Sequence, residues 1–107
     1  MQLFIKRKNG TIDATLEFDE KNNIYTVLKG SVVSKNITMD KKFRSAGSIE
    51  KARANGVVVD GVLTKDVQFK SASTAANFVT GTSTNGKIAW RNKDGETLRE
   101  IQAKEKS

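Results

Sequence analysis

The side chains that most often carry catalysis are missing, because the sequence contains no histidine and no cysteine. Their absence removes thiol nucleophiles, the commonest zinc ligands and the side chain that titrates near neutral pH. The nearest carboxylate groupings are Asp19 with Glu20 and Asp60 with Asp66. Paired carboxylates can support glycoside or metal-assisted chemistry, but turn composition explains Asp19, Glu20 and Asp60 without any chemistry. We therefore expect no enzyme activity, no metal and no cofactor.

The charge balance favours binding of a polyanion instead. The formal net charge is +7, which is typical of proteins that bind nucleic acid. The basic residues are densest between positions 40 and 53, which form a secondary candidate patch: Lys41, Lys42, Arg44, Lys51 and Arg53. The alternative is that this charge run is only a solvated face.

Three predicted strands begin the chain. Residues 3–5 and 12–18 are separated by an Asn-Gly turn signal at 9–10, and apolar residues alternate along the second segment. Residues 24–28 form a third apolar run after a turn at 22–23. We expect a three-stranded antiparallel meander.

The middle of the chain predicts a helix and a hairpin. Apolar residues recur at helical spacing over 43–54, and Gly56 follows as a stop signal. Short strands at 57–59 and 62–63 flank a tight turn, and residues 67–69 continue them.

The last third predicts a second helix, a strand and a terminal helix. Ser71 suits the N-cap of a helix that ends at Gly81, and residues 88–90 form a strand after an Asn-Gly turn. A capping box, Thr97-x-x-Glu100, begins the terminal helix, with a frayed tail over 103–107.

These elements predict one α+β domain over residues 1–107. We expect an antiparallel sheet of five to seven short strands, the meander plus later short strands, with two or three helices packed against it. No apolar run approaches the ~18 residues of a membrane span. We expect no membrane partner and a cytoplasmic location, since the absence of cysteine is compatible with a reducing compartment.

A spaced motif runs from residue 64 to residue 98. It comprises an aromatic residue, Ser-x-Ser-x-Ala-Ala, a glycine, Asn-Gly, a tryptophan and Asp-Gly-x-x-Leu. These are Phe69, Ser71, Ser73, Ala75, Ala76, Gly81, Asn85, Gly86, Trp90, Asp94, Gly95 and Leu98. The motif resembles the domain of unknown function found at the C-terminus of GIY-YIG nuclease-family and restriction-modification proteins. That domain is similar to the RAMA domain, the restriction enzyme adenine methylase associated domain.

The resemblance implies an α+β fold and a DNA-linked context, with a nuclease or methylase as a partner. Binding of DNA, including modified DNA, carries over as a hypothesis. One departure is Ala72, which stands where relatives often have proline. The substitution loses a pre-organised first helical position without removing the helix.

The candidate nucleic-acid-binding residues surround the second helix. Free N–H groups at its start would hold a phosphate, and nearby cations would add salt-sensitive contacts. Trp90 would stack on a base, and Asn85 would meet a base edge or the backbone. The full set is Lys65, Lys70, Ser71, Ser73, Thr74, Asn85, Lys87, Trp90 and Arg91.

Each candidate has a structural alternative. The two serines are helix-capping types, Asn85 with Gly86 is a turn, and Trp90 is a core anchor. The leading hypothesis is a non-catalytic DNA-binding accessory module. The alternatives are a protein-interaction or structural domain, and a small regulator that binds an anionic metabolite.

Overall fold

The computed structural model describes residues 1–7, 10–38 and 46–106. It contains six strands and four helices within these ranges. They are β1 (Gln2–Lys6), β2 (Asp13–Asp19), β3 (Ile24–Val27), α1 (Ala46–Arg53), β4 (Val58–Val59), β5 (Val62–Leu63), β6 (Val67–Phe69), α2 (Ala72–Thr80), α3 (Gly86–Ala89) and α4 (Leu98–Lys106).

The main sheet is antiparallel, with strand order β1-β2-β3-β6, and the fold is α+β. The predicted meander is confirmed by the pairing of β1 with β2 and of β2 with β3. Strand β6 pairs with β3 and not with the β4–β5 hairpin, contrary to expectation. The hairpin closes at Asp60 and Gly61, whose φ angles are 51° and 78°. Its tight turn leaves the following segment free to cross to β3.

One face of the sheet is buried and the other meets solvent. Leu3 and Ile5 of β1 are buried, whereas Gln2 and Lys6 are exposed. The same alternation continues along β2, as expected of an antiparallel sheet with one covered face. Cross-strand packing strengthens the buried face, where the rings of Phe18 and Tyr25 stack with centroids 4.4 Å apart.

Helix α2 supplies much of the other half of the core. Its Ala75, Ala76, Phe78 and Val79 are fully buried, because the small alanines allow the helix to approach closely. The predicted boundaries are confirmed. Ser71 caps the first turn, and Gly81 ends the helix in the left-handed conformation.

Residues 88–90 do not form the predicted strand. The Asn85 side chain accepts a hydrogen bond from the Lys87 amide and so caps the short helix α3. A short apolar run is ambiguous between strand and helix, and this cap decides in favour of the helix.

Two other helices follow the predicted signals. Helix α1 is observed over Ala46–Arg53, while residues 43–45 of the predicted helix lie outside the described ranges. The capping box of α4 is confirmed by reciprocal hydrogen bonds between Thr97 and Glu100. Helix α4 continues to Lys106, through most of the segment expected to fray, because Lys104 pairs with Glu96 and Ile101 packs against the core.

Candidate nucleic-acid interface

A groove of about 620 Å³ lies where the end of β1, helix α3 and the following turn meet. We call it the basic groove, and its defining residues are Phe4, Lys6, Arg7, Ile88, Arg91 and Lys93. Four of these are cations. Among the described residues that line the groove none is acidic, so the lining carries positive charge alone.

A two-way backbone bridge builds the basic groove from distant parts of the chain. The Phe4 amide donates to the Arg91 carbonyl at 2.7 Å, and the Arg91 amide donates to the Phe4 carbonyl at 3.1 Å. Arg91 also forms an isolated antiparallel β-bridge with Thr97. The bridge occupies part of the free edge of β1, and it holds Lys6 and Arg7 beside the segment that carries Lys93.

Glu96 lies near the groove without lining it, and it is held by an ion pair with Lys104 and a hydrogen bond from Asn92. Lys104 and Asn92 donate to Glu96, and these bonds lower the pKa of Glu96 below its ordinary value. Arg91 donates to the Gly95 carbonyl at 2.9 Å, so its guanidinium is positioned by the turn itself. The bonds to Glu96 keep it ionised, and the ammonium of Lys104 offsets its negative charge.

The floor of the basic groove is apolar. Phe4 lies on the solvent side of β1, since its neighbours Leu3 and Ile5 face the core. The Lys6 ammonium sits 5.3 Å from the centroid of the Phe4 ring. Ile88 is 43% exposed. An apolar surface bordered by cations suits a ligand with both an apolar and an anionic part.

Only two of the predicted binding residues lie at the basic groove. Asn85 and Arg91 both line the basic groove. Lys65 and Lys70 are exposed at either end of β6, and that strand is separated from β1 by two others. Lys87 is exposed on α3 and does not line the groove.

The prediction that Trp90 stacks on a base is wrong. The indole has 0% exposure, and its Nε1 donates to the Ala72 carbonyl at 3.0 Å. Its alternative role as a core anchor is the one observed. Trp90 joins the segment after α3 to the start of α2.

The start of α2, the predicted phosphate site, is capped by the side chain of Ser71. The Thr74 amide donates to Ser71 Oγ at 3.0 Å, and the Ser71 hydroxyl donates to Thr74 Oγ1. Gly86 packs against the peptide that joins Ala72 and Ser73, and its amide donates to Ser73 Oγ. The side chains of Ser71, Ser73 and Thr74 therefore form hydrogen bonds within the protein, and the Thr74 amide already has a partner.

Only Lys51 and Arg53 of the secondary basic patch lie within the described residues, and their side chains are placed differently. Arg53 turns inward and donates to the carbonyls of Ser34 and Phe78 at 2.7 and 3.0 Å. Burial lowers the pKa of Arg53, although a guanidinium stays charged in proteins. Lys51 is exposed, while Lys41, Lys42 and Arg44 lie outside the described residues. Arg53 is a structural clamp and not a surface cation.

Three cations of the basic groove were missed by sequence reasoning. Lys6, Arg7 and Lys93 were not selected, because their segments are more than 80 positions apart in the sequence. The one available signal was Phe4, an apolar residue among alternating positions that should face solvent. That signal does not reveal which segment lies opposite.

Two of the carboxylates named as catalytic candidates, Asp19 and Asp66, accept hydrogen bonds that stabilise the fold locally. Asp19 accepts hydrogen bonds from the side chain and the amide of Asn22, which lower the pKa of Asp19. Asp66 accepts from the Lys29 amide at 2.7 Å. Within residues 1–7, 10–38 and 46–106, no three potential acidic ligands gather at one point.

The fold and the groove define an α+β domain with a cationic surface groove. A family model described as a domain of unknown function, DUF4357, matches residues 3–102. The chain therefore belongs to the DUF4357 family. No curated protein and no solved structure matches it. None of the helices in the described ranges is long and apolar enough to cross a membrane.

Proposed function

We propose that this chain is a non-catalytic DNA-binding module whose contact surface is the basic groove. The observation that carries the proposal is the convergence of Lys6, Arg7, Arg91 and Lys93 on one groove whose described lining residues include no carboxylate. Cations held together in a concave surface focus a positive potential, and phosphates respond to it strongly.

The proposal includes a role as an accessory module of a cytoplasmic nuclease or methylase. Its support is the resemblance of residues 64–98 to domains of GIY-YIG nuclease-family and restriction-modification proteins. A partner domain would supply the chemistry, while this module would hold the DNA. A comparison of binding to methylated and unmethylated DNA would test whether modified bases are preferred. Equal affinities would reject the preference for modified bases and leave DNA binding itself in place.

A matched pair of double variants tests the position of the contact surface. Lys6→Gln/Lys93→Gln removes two groove cations, and Lys65→Gln/Lys70→Gln removes two exposed cations elsewhere. Both lower the formal net charge from +7 to +5, so a general charge effect is the same in each. We expect the groove variant to weaken DNA binding about tenfold or more, and to reduce the salt slope by about 1.5.

The measurement is binding of a short labelled DNA as salt rises from about 50 to about 200 mM. Equal losses in the two variants would place the contacts outside the basic groove. Absence of DNA binding at low salt would reject the proposed function altogether.

A protein-interaction domain is the second candidate. Val59 and Val62 are 50% and 39% exposed on the β4–β5 hairpin, an apolar tip of the kind that partner proteins cover. This function predicts no retardation of DNA at low salt. It also predicts that loss of the groove cations leaves binding of the partner protein unchanged.

A further inference from the structure

The basic groove contains apolar surface that a phosphate backbone alone would not use. Among the described residues, the exposed large apolar side chains are those of Val59, Val62 and Ile88. Of these three, Ile88 lines the groove. Phe4 is half-buried at an outward position of β1, and Ala89 lies beside it in the lining. A ligand that touched only the cations would leave this floor in contact with water.

Asn85 adds a directed polar group next to that floor. Its Oδ1 accepts from the Lys87 amide at 3.1 Å, so the side-chain orientation is set by the cap of α3. The Nδ2 group then remains as a donor, with no hydrogen-bond partner among the described residues. The other groove amide, Asn92, is engaged within its own turn through the Asp94 amide and Glu96.

We propose that the basic groove receives an unpaired base of single-stranded DNA. The inference rests on the proposed function and names its ligand. The base lies against Ile88 and against Phe4 once the Lys6 ammonium, which sits over that ring, turns to a phosphate, as bases stack on aromatic and apolar platforms in proteins that bind single strands. Asn85 donates to an acceptor on the base edge, and the flanking phosphates meet Lys6 and Arg91.

A duplex fits these features less well. Its bases are stacked and paired inside, and phosphates form the outer surface that a shallow site meets. The groove volume of about 620 Å³ falls in the range of pockets that enclose a small ligand. A nucleotide with a free base matches the apolar floor, the cations and the Asn85 donor together.

The first experiment uses the unaltered protein and three labelled DNAs of equal length: a single strand, its duplex, and a single strand whose bases are replaced by abasic sites. We expect the single strand to bind at least about tenfold more tightly than the abasic strand. We expect it also to bind more tightly than the duplex.

The outcomes separate this inference from the proposed function. Equal binding of the single strand and the abasic strand, or tighter binding of the duplex, overturns the inference and leaves DNA binding intact. Failure of all three DNAs to bind overturns both.

A second experiment places the base. Ile88→Ser removes exposed apolar surface in the groove, and Val59→Ser removes it on the distant hairpin, with circular dichroism to check that each variant folds. We expect Ile88→Ser to weaken single-strand binding about fivefold or more and to leave abasic-strand binding unchanged. If both variants weakened single-strand binding equally, the placement of the base against Ile88 would be overturned.

Discussion

At the scale of single residues, Arg53 shows how a surface residue type becomes an internal connector. Its guanidinium joins the end of α1 to the Ser34 segment and to the last carbonyls of α2. The ring of Phe78 lies 5.7 Å from the guanidinium carbon, so the contact also includes a cation–π component. A planar group with five donors suits several carbonyls at once, which a lysine would not reproduce.

Replacement of Arg53 should therefore change stability more than surface charge alone would. We expect Arg53→Met to lower the free energy of unfolding by about 2–3 kcal/mol, because part-buried carbonyls lose their donors. The control is Lys51→Met on the same helix, where the side chain is exposed, with an expected change within about 0.5 kcal/mol. Urea denaturation measures the free energy of unfolding of both variants. Equal losses of stability would contradict the structural role of Arg53.

At the scale of elements, the packing of α3 on α2 depends on the absence of a side chain. A Cβ on Gly86 would overlap the carbonyl of Ala72 and the amide nitrogen of Ser73. Those atoms are backbone, so they cannot move aside cheaply. The same contact closes the start of α2 and positions Ile88 and Asn85 at the groove.

Two glycine substitutions distinguish a packing role from a helix-propensity effect. Gly86→Ala should destabilise the protein by about 2 kcal/mol or more, because the two helices must separate. Gly47→Ala in α1 has open space around the added carbon, and should stabilise by about 0.5–1 kcal/mol. Thermal unfolding shows whether each variant is less or more stable than the parent protein. A gain in stability from Gly86→Ala would show that the helices do not pack this closely.

At the scale of the whole molecule, positive charge makes the fold sensitive to acid. Hydrogen bonds from Lys104 and Asn92 lower the pKa of Glu96, and bonds from the Thr97 amide and hydroxyl lower the pKa of Glu100, both from 4.5. A carboxyl with a depressed folded pKa stabilises fully above its ordinary value. It loses that contribution as pH falls through the folded pKa. Protonation also raises the net positive charge and its self-repulsion.

We expect stability to fall as pH decreases below about 4.5, and Glu96→Gln/Glu100→Gln to make that fall shallower. The matched control is Glu20→Gln/Asp60→Asn, two exposed carboxylates on other elements, which should leave the pH profile closer to that of the parent. The measurement is the urea midpoint at a series of pH values. A profile unchanged in the Glu96/Glu100 variant would contradict the assigned hydrogen bonds.

Local signals in the sequence determined the meander, the bounds of α2 and the start of α4. Alternation in residues 12–18, the Ser71 cap with Gly81, and the Thr97 capping box each act over a few neighbouring positions. Such signals depend on residues close in sequence, so they can be recognised without knowledge of the tertiary contacts. The predicted strand at 88–90 failed because a side-chain cap outweighed a short apolar run.

Only the tertiary structure decided which residues share a surface. The Phe4–Arg91 bridge joins segments at opposite ends of the chain, and Lys6, Arg7 and Lys93 then line one groove. Burial of Trp90 and Arg53 likewise depends on what packs over them, and residue type alone does not specify that. The physical reason is that local propensities select elements, whereas long-range packing selects their neighbours, and a binding surface is made of neighbours.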